Sequence, residues 1–196
     1  MDINNVKKQW QTLATTVEAV DYAVSGHDYS LSLERDKVRD FAAFMLEEGF
    51  YLVDLMAVHV TPAIEVVYQF AHVETRCRVL ARAFVDDNVE MPTISDIYQG
   101  ANWHERETRD FHGVVFIDHP YLHPLILPEE DVELKPLLKA EAKLKDVEAI
   151  RRQPPEPAPE PKPKAKPEAK PEAKPEAKPE AKPEAKPEPP KSQEQS

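Results

Sequence analysis

Apolar side chains recur along roughly the first 150 residues with two distinct periods, one helical and one strand-like, and then stop. Val6, Trp10, Leu13 and Val17 stand at i, i+4, i+7 and i+11, the spacing of one helix face, with Asn4 or Asn5 placed to cap it. AVDYAVSGHD predicts a short strand or turn that bends at Gly26, and YSLSL alternates as a compact strand. Over ERDKVRDFAAFMLEEG the period returns to that of a helix. Val38, Phe41, Ala42, Met45 and Leu46 form its inward stripe, and Gly49 supplies the stop.

Three strand-like runs come next: FYLVDLMAVHV, AIEVVYQFAHV and TRCRVLARAF. They predict an antiparallel meander with one face on helices and the other half-wet, ended by the acidic loop DDNVEMP. Ser95 is placed to cap a short helix, SDIYQG, and Asn102 a second, WHERETRDFH, which Gly113 closes. The chain then turns extended at VVFIDHP, and Pro120, Pro124, Pro128 and Pro136 keep the next segment out of a long helix. Residues 137–150 are rich in helix formers but weakly apolar, and predict a marginal or partner-stabilised terminal helix. The expected class is α+β: a single mixed or antiparallel sheet of about four strands, covered by helices, with an irregular C-terminal arm.

Composition divides the chain into residues 1–150 and 151–196. The second part holds 14 of the 20 prolines and no aromatic, Val, Ile, Leu or Gly. A segment without large apolar side chains cannot offset its ordering entropy, so a disordered tail is expected. PEAK recurs there in tandem, and its regular prolines forbid a stable helix. The plain reading of the repeat is a solvated spacer, and the sharper one a docking or tethering arm.

Charge follows the same division. The tail's 11 Lys/Arg and 9 Asp/Glu leave 14 and 27 for the folding unit, a net of −13. An acidic body with no basic stripe argues against nucleic acid as a partner and against direct adsorption on an anionic membrane. The lone Cys77 excludes an internal disulfide framework and cannot by itself hold an iron–sulfur cluster; its alternating context makes it a buried strand residue. The start, MDINNVKKQW, lacks the pattern of a secretory signal, and no apolar run approaches the ~20 residues that span a bilayer. The expectation is a cytoplasmic, soluble protein, or one held at a membrane only through partners.

The stretch NWHERETRDFHGVVFIDHPYLHPLIL concentrates candidate chemistry. A zincin helix requires His at i and i+4, but His104 is followed there by Thr108. His104 and His112 lie two turns apart, ~12 Å, too far for one ion. His119 and His123 have the spacing, but Pro120 and Pro124 prevent the helix that would make it useful. A metal site assembled from several segments, using His104, His112, His119 and His123, remains as an alternative. Glu105, Glu107 and Asp110 could serve as acids or bases, yet no nucleophile motif or Gly-rich phosphate loop accompanies them.

On a helix, Glu105 and Arg109 stand at i, i+4 in the favourable order, and Arg106 faces Asp110. Trp103, Glu107, Asp110 and Phe111 share another face. Aromatics and arginines beside fixed charges are what buried protein contacts favour. The apolar, proline-rich run after Gly113 reads as an arm laid along another surface.

The segment TISDIYQGANWHERETRDFHGVVFIDHPYLHPLILPEE also resembles the signature of the 30 kDa subunit family of respiratory complex I, NADH–quinone oxidoreductase, and of related energy-converting nickel–iron hydrogenases. The resemblance is carried by Trp103, Glu105, Arg106, Glu107, Asp110, Phe111, Gly113, His119, Pro120, Leu122, Leu127, Pro128 and Glu129. It implies a subunit with no cofactor of its own, part of an oxidoreductase complex. Such a subunit packs against the large hydrogenase-like subunit and the small iron–sulfur subunit in the hydrophilic arm, on the cytoplasmic face of the membrane. Iron–sulfur clusters, and nickel–iron or flavin groups, would reside in partner subunits. The same residues, Glu129 apart, are then the expected interface, with Glu105, Arg106, Glu107 and Asp110 making its intersubunit hydrogen bonds and ion pairs.

Two departures from the family pattern stand out. His112 occupies a place where an aromatic is usual; a neutral imidazole can pack there, the alternative being a redox or proton role. KPLLKAEAK keeps Pro136, Leu137 and Lys139 but loses an arginine and an Asp-Tyr pair, which favours the hydrogenase branch.

Overall fold

A computed structural model describes residues 3–151. Apart from Arg151, the expected tail and its PEAK repeat lie outside the described residues.

The first helix, α1 (Ile3–Leu13), buries Val6 and Trp10. Trp10 points its Nε1–H at the Met45 sulfur, 3.3 Å away, and stands edge-on to Tyr29 and Phe50. The helix begins upstream of the expected caps, so Asn4 and Asn5 lie within it. It also ends before Val17, which belongs instead to strand β1 (Thr16–Ala19). A one-turn helix, α2 (Tyr22–Ser25), comes next, capped by the Asp21 carboxylate on the Ala23 amide and closed by Gly26 at φ 74°. That left-handed value is one glycine adopts without a Cβ penalty.

After β2 (Tyr29–Ser32) and a 3-10 turn at Arg35–Lys37 comes α3 (Val38–Glu47). Val38, Phe41, Ala42 and Met45 form its buried stripe. Leu46, expected there too, is 48% exposed. At 100° per residue it sits about 90° off the stripe's centre, and Gly49 (φ 83°) then turns the chain into the sheet.

Strands β3 (Phe50–His59), β4 (Ile64–His72) and β5 (Arg78–Phe84) form the expected antiparallel meander. The whole sheet has five strands in the order β1-β2-β5-β4-β3, with β2 and β5 parallel, so it is mixed and one strand larger than expected. A second sheet pairs β6 (Glu90–Pro92) in parallel with β7 (Val115–Ile117). The acidic loop therefore contains a strand, and its partner comes from beyond the next helix. The predicted helix over SDIYQG is a turn, in which Tyr98 donates its amide to the Ile94 carbonyl.

One sheet face carries the core. Leu31, Phe50, Leu55, Val66, Tyr68, Phe70, Val79 and Ala81 meet α1, α3 and the residues around β6 and β7. The other face is partly covered by a short terminal helix, α5 (Val147–Arg151), whose Arg151 pairs with the buried Glu65. This is the terminal helix expected for residues 137–150, shortened and preceded by a 3-10 turn at Glu141–Lys143.

β3 is an edge strand, and an open edge invites pairing with another chain. Helix α4 (Ala101–His112) packs along it. A bulge between Leu52 and Asp54 puts an extra residue into β3, and the Asp54 carboxylate there lies 3.3 Å from His104 of α4.

Candidate functional site

Helix α4 looks hydrophilic in sequence, yet it buries Ala101, Glu105, Thr108, Asp110 and His112. Ala101, Glu105, Thr108 and His112 form one stripe at i, i+4, i+7 and i+11 against the core. Its start has no side-chain cap: Gly100 is the N-cap residue and Asn102 lies in the first turn, a correction to the expected Asn102 cap. Gly113 closes it as expected, at φ 76° with its amide on the Arg109 carbonyl. The left-handed turn favours glycine, and a Cβ there would press on the Lys135 side chain at 3.3 Å.

Glu105 is 0% exposed and is held from outside its own helix. One carboxylate oxygen accepts the Ile94 amide at 2.8 Å, and the other accepts the Thr93 hydroxyl. Thr93 in turn contacts the Ser95 hydroxyl at 2.8 Å. Burial pushes the Glu105 carboxyl up to about 7, the hydrogen bonds from Thr93 and Ile94 offsetting only part of that. Arg39 of α3 fixes the same turn through a bidentate contact with Asp96, at 2.8 and 2.7 Å, and a hydrogen bond to the Thr93 carbonyl.

Asp110 is also 0% exposed but faces the arm. Its Oδ2 accepts the successive amides of Leu125, Ile126 and Leu127 at 2.8, 2.8 and 3.2 Å. Burial alone would raise this carboxyl. The three amides and the Arg109 guanidinium outweigh it and hold it below the ordinary carboxylate range. Arg106, one turn earlier, donates to the carbonyls of His123 and Pro124 at 2.9 and 2.7 Å and lies over the Tyr121 ring. The predicted pairs Glu105–Arg109 and Arg106–Asp110 are thus replaced: Glu105 bonds to the turn before its helix, and Arg106 and Asp110 to the arm after it. Within the chain, Glu105, Arg106 and Asp110 thus hold the turn before the helix and the arm after it.

The four histidines go to four different places. His104 meets Asp54. His119 is tucked against the start of α4: its Nε2–H donates to the Asn102 carbonyl at 3.2 Å, and its Nδ1 accepts the Tyr121 amide at 3.0 Å. Those two partners fix the neutral Nε2–H tautomer. His123 stacks on Tyr121 with ring centres 4.4 Å apart. His112 is 7% exposed with no hydrogen-bond partner at Nδ1, and burial, reinforced by the nearby His59 and Lys139, lowers it to about 4. Among the described residues, no three His, Cys, Asp or Glu side chains gather as a metal-ligand set.

The outward side of α4 and the arm is largely apolar. Trp103 is 68% exposed, Tyr121 56%, Ile126 57% and Leu134 64%. Glu107, Pro120 and Pro128 are exposed as well, while Phe111, Gly113, Leu122 and Leu127 are half-buried. Leu122 packs on the core, and the Phe111 carbonyl accepts the Leu137 amide at 3.1 Å. Between α4 and the β3 edge, Glu107, Thr108 and Phe111 face Leu55 and Ala57 across a cleft of about 350 Å³.

Sequence reasoning missed Thr93, Ser95, Arg39, Asp96 and Tyr68 as parts of this site.

The chain matches the family model described as "Respiratory-chain NADH dehydrogenase, 30 Kd subunit" over residues 31–146. It is 33% identical over 120 residues to an NADH-quinone oxidoreductase subunit of Roseiflexus sp. (strain RS-1), covering 57% of this chain and 68% of that one. It is 35% identical over 77 residues to an F(420)H(2) dehydrogenase subunit of Methanosarcina mazei, covering 39% of this chain and 49% of that one. Among solved structures, a chain of the membrane-bound sulfane sulfur reductase, an archaeal respiratory membrane complex, superposes with TM-score 0.59 at 25% identity over 77% of this chain and 90% of that one. A trypsin-resistant fragment of Nqo5 shares the fold, with TM-score 0.51 at 23% identity, over 62% of this chain and all of the fragment.

Proposed function

Because the chain belongs to the 30 kDa subunit family of respiratory-chain NADH dehydrogenases, we propose that it is a cofactor-free scaffold subunit of a membrane-associated oxidoreductase complex. It docks on the large hydrogenase-like subunit and the small iron–sulfur subunit in the hydrophilic arm, on the cytoplasmic side. Iron–sulfur clusters, and nickel–iron or flavin groups, belong to those partners. Relatives named for NADH–quinone and F(420)H(2) chemistry, and a structural neighbour named for sulfane sulfur reduction, favour a shared scaffold over a shared electron donor.

One observation carries the reading. Arg106 and Asp110 of α4 bind the arm inside the chain, which holds helix and arm together with Trp103, Tyr121, Ile126 and Leu134 outward. Exposed large apolar side chains held on a fixed backbone are what a stable protein contact uses as anchors. The interface residues are therefore Trp103, Glu107 and Phe111 with the outer side of the arm, and Glu105, Arg106, Asp110 and His119 support them from within. Among the described residues no helix is long and apolar enough to cross a membrane, which fits attachment through partners.

The test is affinity purification of the tagged full chain from its own cells, with elemental analysis of the chain expressed alone. The expected result is stoichiometric recovery of a large hydrogenase-like and an iron–sulfur subunit, and no stoichiometric metal in the isolated chain. Recovery of the chain free of both subunits, or metal-loaded by itself, overturns the reading.

A further inference from the structure

The buried Glu105 carboxylate sits where three segments converge: its own helix, the Thr93–Ser95 turn, and the arm at His119. Among the described residues no positively charged partner touches it. His119 Nε2 is 3.8 Å from Oε2, but that imidazole is neutral, since Nδ1 accepts the Tyr121 amide and has no room for a second proton. The Arg39 guanidinium of α3 is engaged with Asp96 and the Thr93 carbonyl. From β4 the Tyr68 hydroxyl, fully buried and without a hydrogen-bond partner, lies within the field of Glu105, which adds to the effect of burial in opposing its ionisation. Asp118 lies within the field of Arg39.

We propose that Glu105 is a reversible proton-binding site, and that the Thr93–Ser95 hydroxyl pair lets it exist in both states without losing a hydrogen bond at Thr93. When Glu105 is ionised, Ser95 Oγ–H donates to Thr93 Oγ, and Thr93 Oγ–H donates to Glu105. When a proton taken from water occupies Oε2, Glu105 donates to Thr93 Oγ and Thr93 Oγ–H turns to Ser95 Oγ. In both directions Thr93 Oγ donates once and accepts twice, because the Ser95 amide also donates to it at 3.1 Å. Each step rotates hydroxyl hydrogens and breaks no heavy-atom contact. The Ile94 amide, 2.8 Å from Oε1, feels a full negative charge in one state and a neutral carboxyl oxygen in the other. The site thereby links local proton activity to how tightly the turn is held on α4. Burial favours the protonated form and places the exchange near neutral pH, at about 7.

This inference does not rest on the assembly reading, and its test uses the full chain alone. The Ile94 and Thr93 amide resonances are followed by NMR across pH 5–9, a window set about the midpoint near 7. The expected result is a titration of the Ile94 amide, absent in Glu105→Gln. In Thr93→Val both states lose their bond to Thr93, and loss of the stronger, charge-assisted one moves the midpoint to higher pH. The Tyr121 amide reports His119 separately. A flat Ile94 shift in the unaltered chain overturns the proposal. A midpoint that does not rise in Thr93→Val overturns the charge-assisted donation from Thr93 to the ionised carboxylate, and that variant decides the matter even where Glu105→Gln does not fold.

Discussion

Arg106 and Asp110 stand one turn apart on α4 and do not pair with each other; they grip one stretch of arm from its two polarities. Arg106 donates to the carbonyls of His123 and Pro124, and Asp110 accepts the amides of Leu125, Ile126 and Leu127. Five consecutive residues of irregular backbone are satisfied this way, which is what an arm without secondary structure needs in order to lie still.

Asp110→Asn keeps the shape and loses the charge. Its amide can present only one oxygen, and neutral acceptors hold amides about half as strongly. The expected loss is about 1–3 kcal/mol, expressed first as local opening. Hydrogen exchange at Leu125–Leu127 should rise by roughly tenfold or more while β4 and β5 stay protected. Equal acceleration across the sheet would mean the arm and the core open together.

This clamp also shows why spacing alone misreads the helix. Glu105–Arg109 and Arg106–Asp110 have ideal i, i+4 geometry for a solvated face. Nothing in that pattern says that amides from residues 94 and 125–127 will claim the carboxylates. Long-range pairing is likewise invisible for β6, a strand of three residues whose partner β7 lies beyond the next helix. By contrast the α3 stripe, the meander and the Gly113 stop are legible, because each is set by local period or by one residue's backbone freedom.

Gly113→Ala tests that local signal. A left-handed conformation costs a non-glycine residue roughly 1–2 kcal/mol, before any displacement of the Lys135 chain that lies 3.3 Å from the new Cβ. Denaturant unfolding should show a loss at the upper end of that range, with the slope unchanged.

Trp103→Ala separates folding from docking. At 68% exposure the indole contributes little to the chain's own core, so stability should change by less than about 0.5 kcal/mol. If it is an interface anchor, its removal should weaken assembly by about 2 kcal/mol or more. Thermal unfolding of the isolated chain and recovery of partner subunits measure the two. An unfolding loss without an assembly loss would refute the placement of Trp103 in the interface.

Two buried groups should oppose each other in the pH dependence of stability. Glu105 is raised from 4.5 to about 7 on folding, so the folded state holds a proton the unfolded state has released, and stability falls as pH rises from about 4.5 to 7. His112 is lowered from 6.5 to about 4, so its contribution is full above 6.5 and is lost as pH falls toward 4. The two windows overlap with opposite slopes, each on the order of 3 kcal/mol across its span. From these two sites alone, the unaltered chain should be nearly flat between pH 4.5 and 6.5. Glu105→Gln leaves the His112 slope and should make the protein gain stability as pH rises. His112→Phe replaces the unpartnered Nδ1 with carbon and leaves the Glu105 slope, so stability should decline as pH rises, from a level about 1 kcal/mol higher at neutral pH. Urea midpoints of the three proteins across pH 4–8, a span set by the two midpoints, measure this. Parallel profiles for both variants would show that folding shifts neither group as assigned.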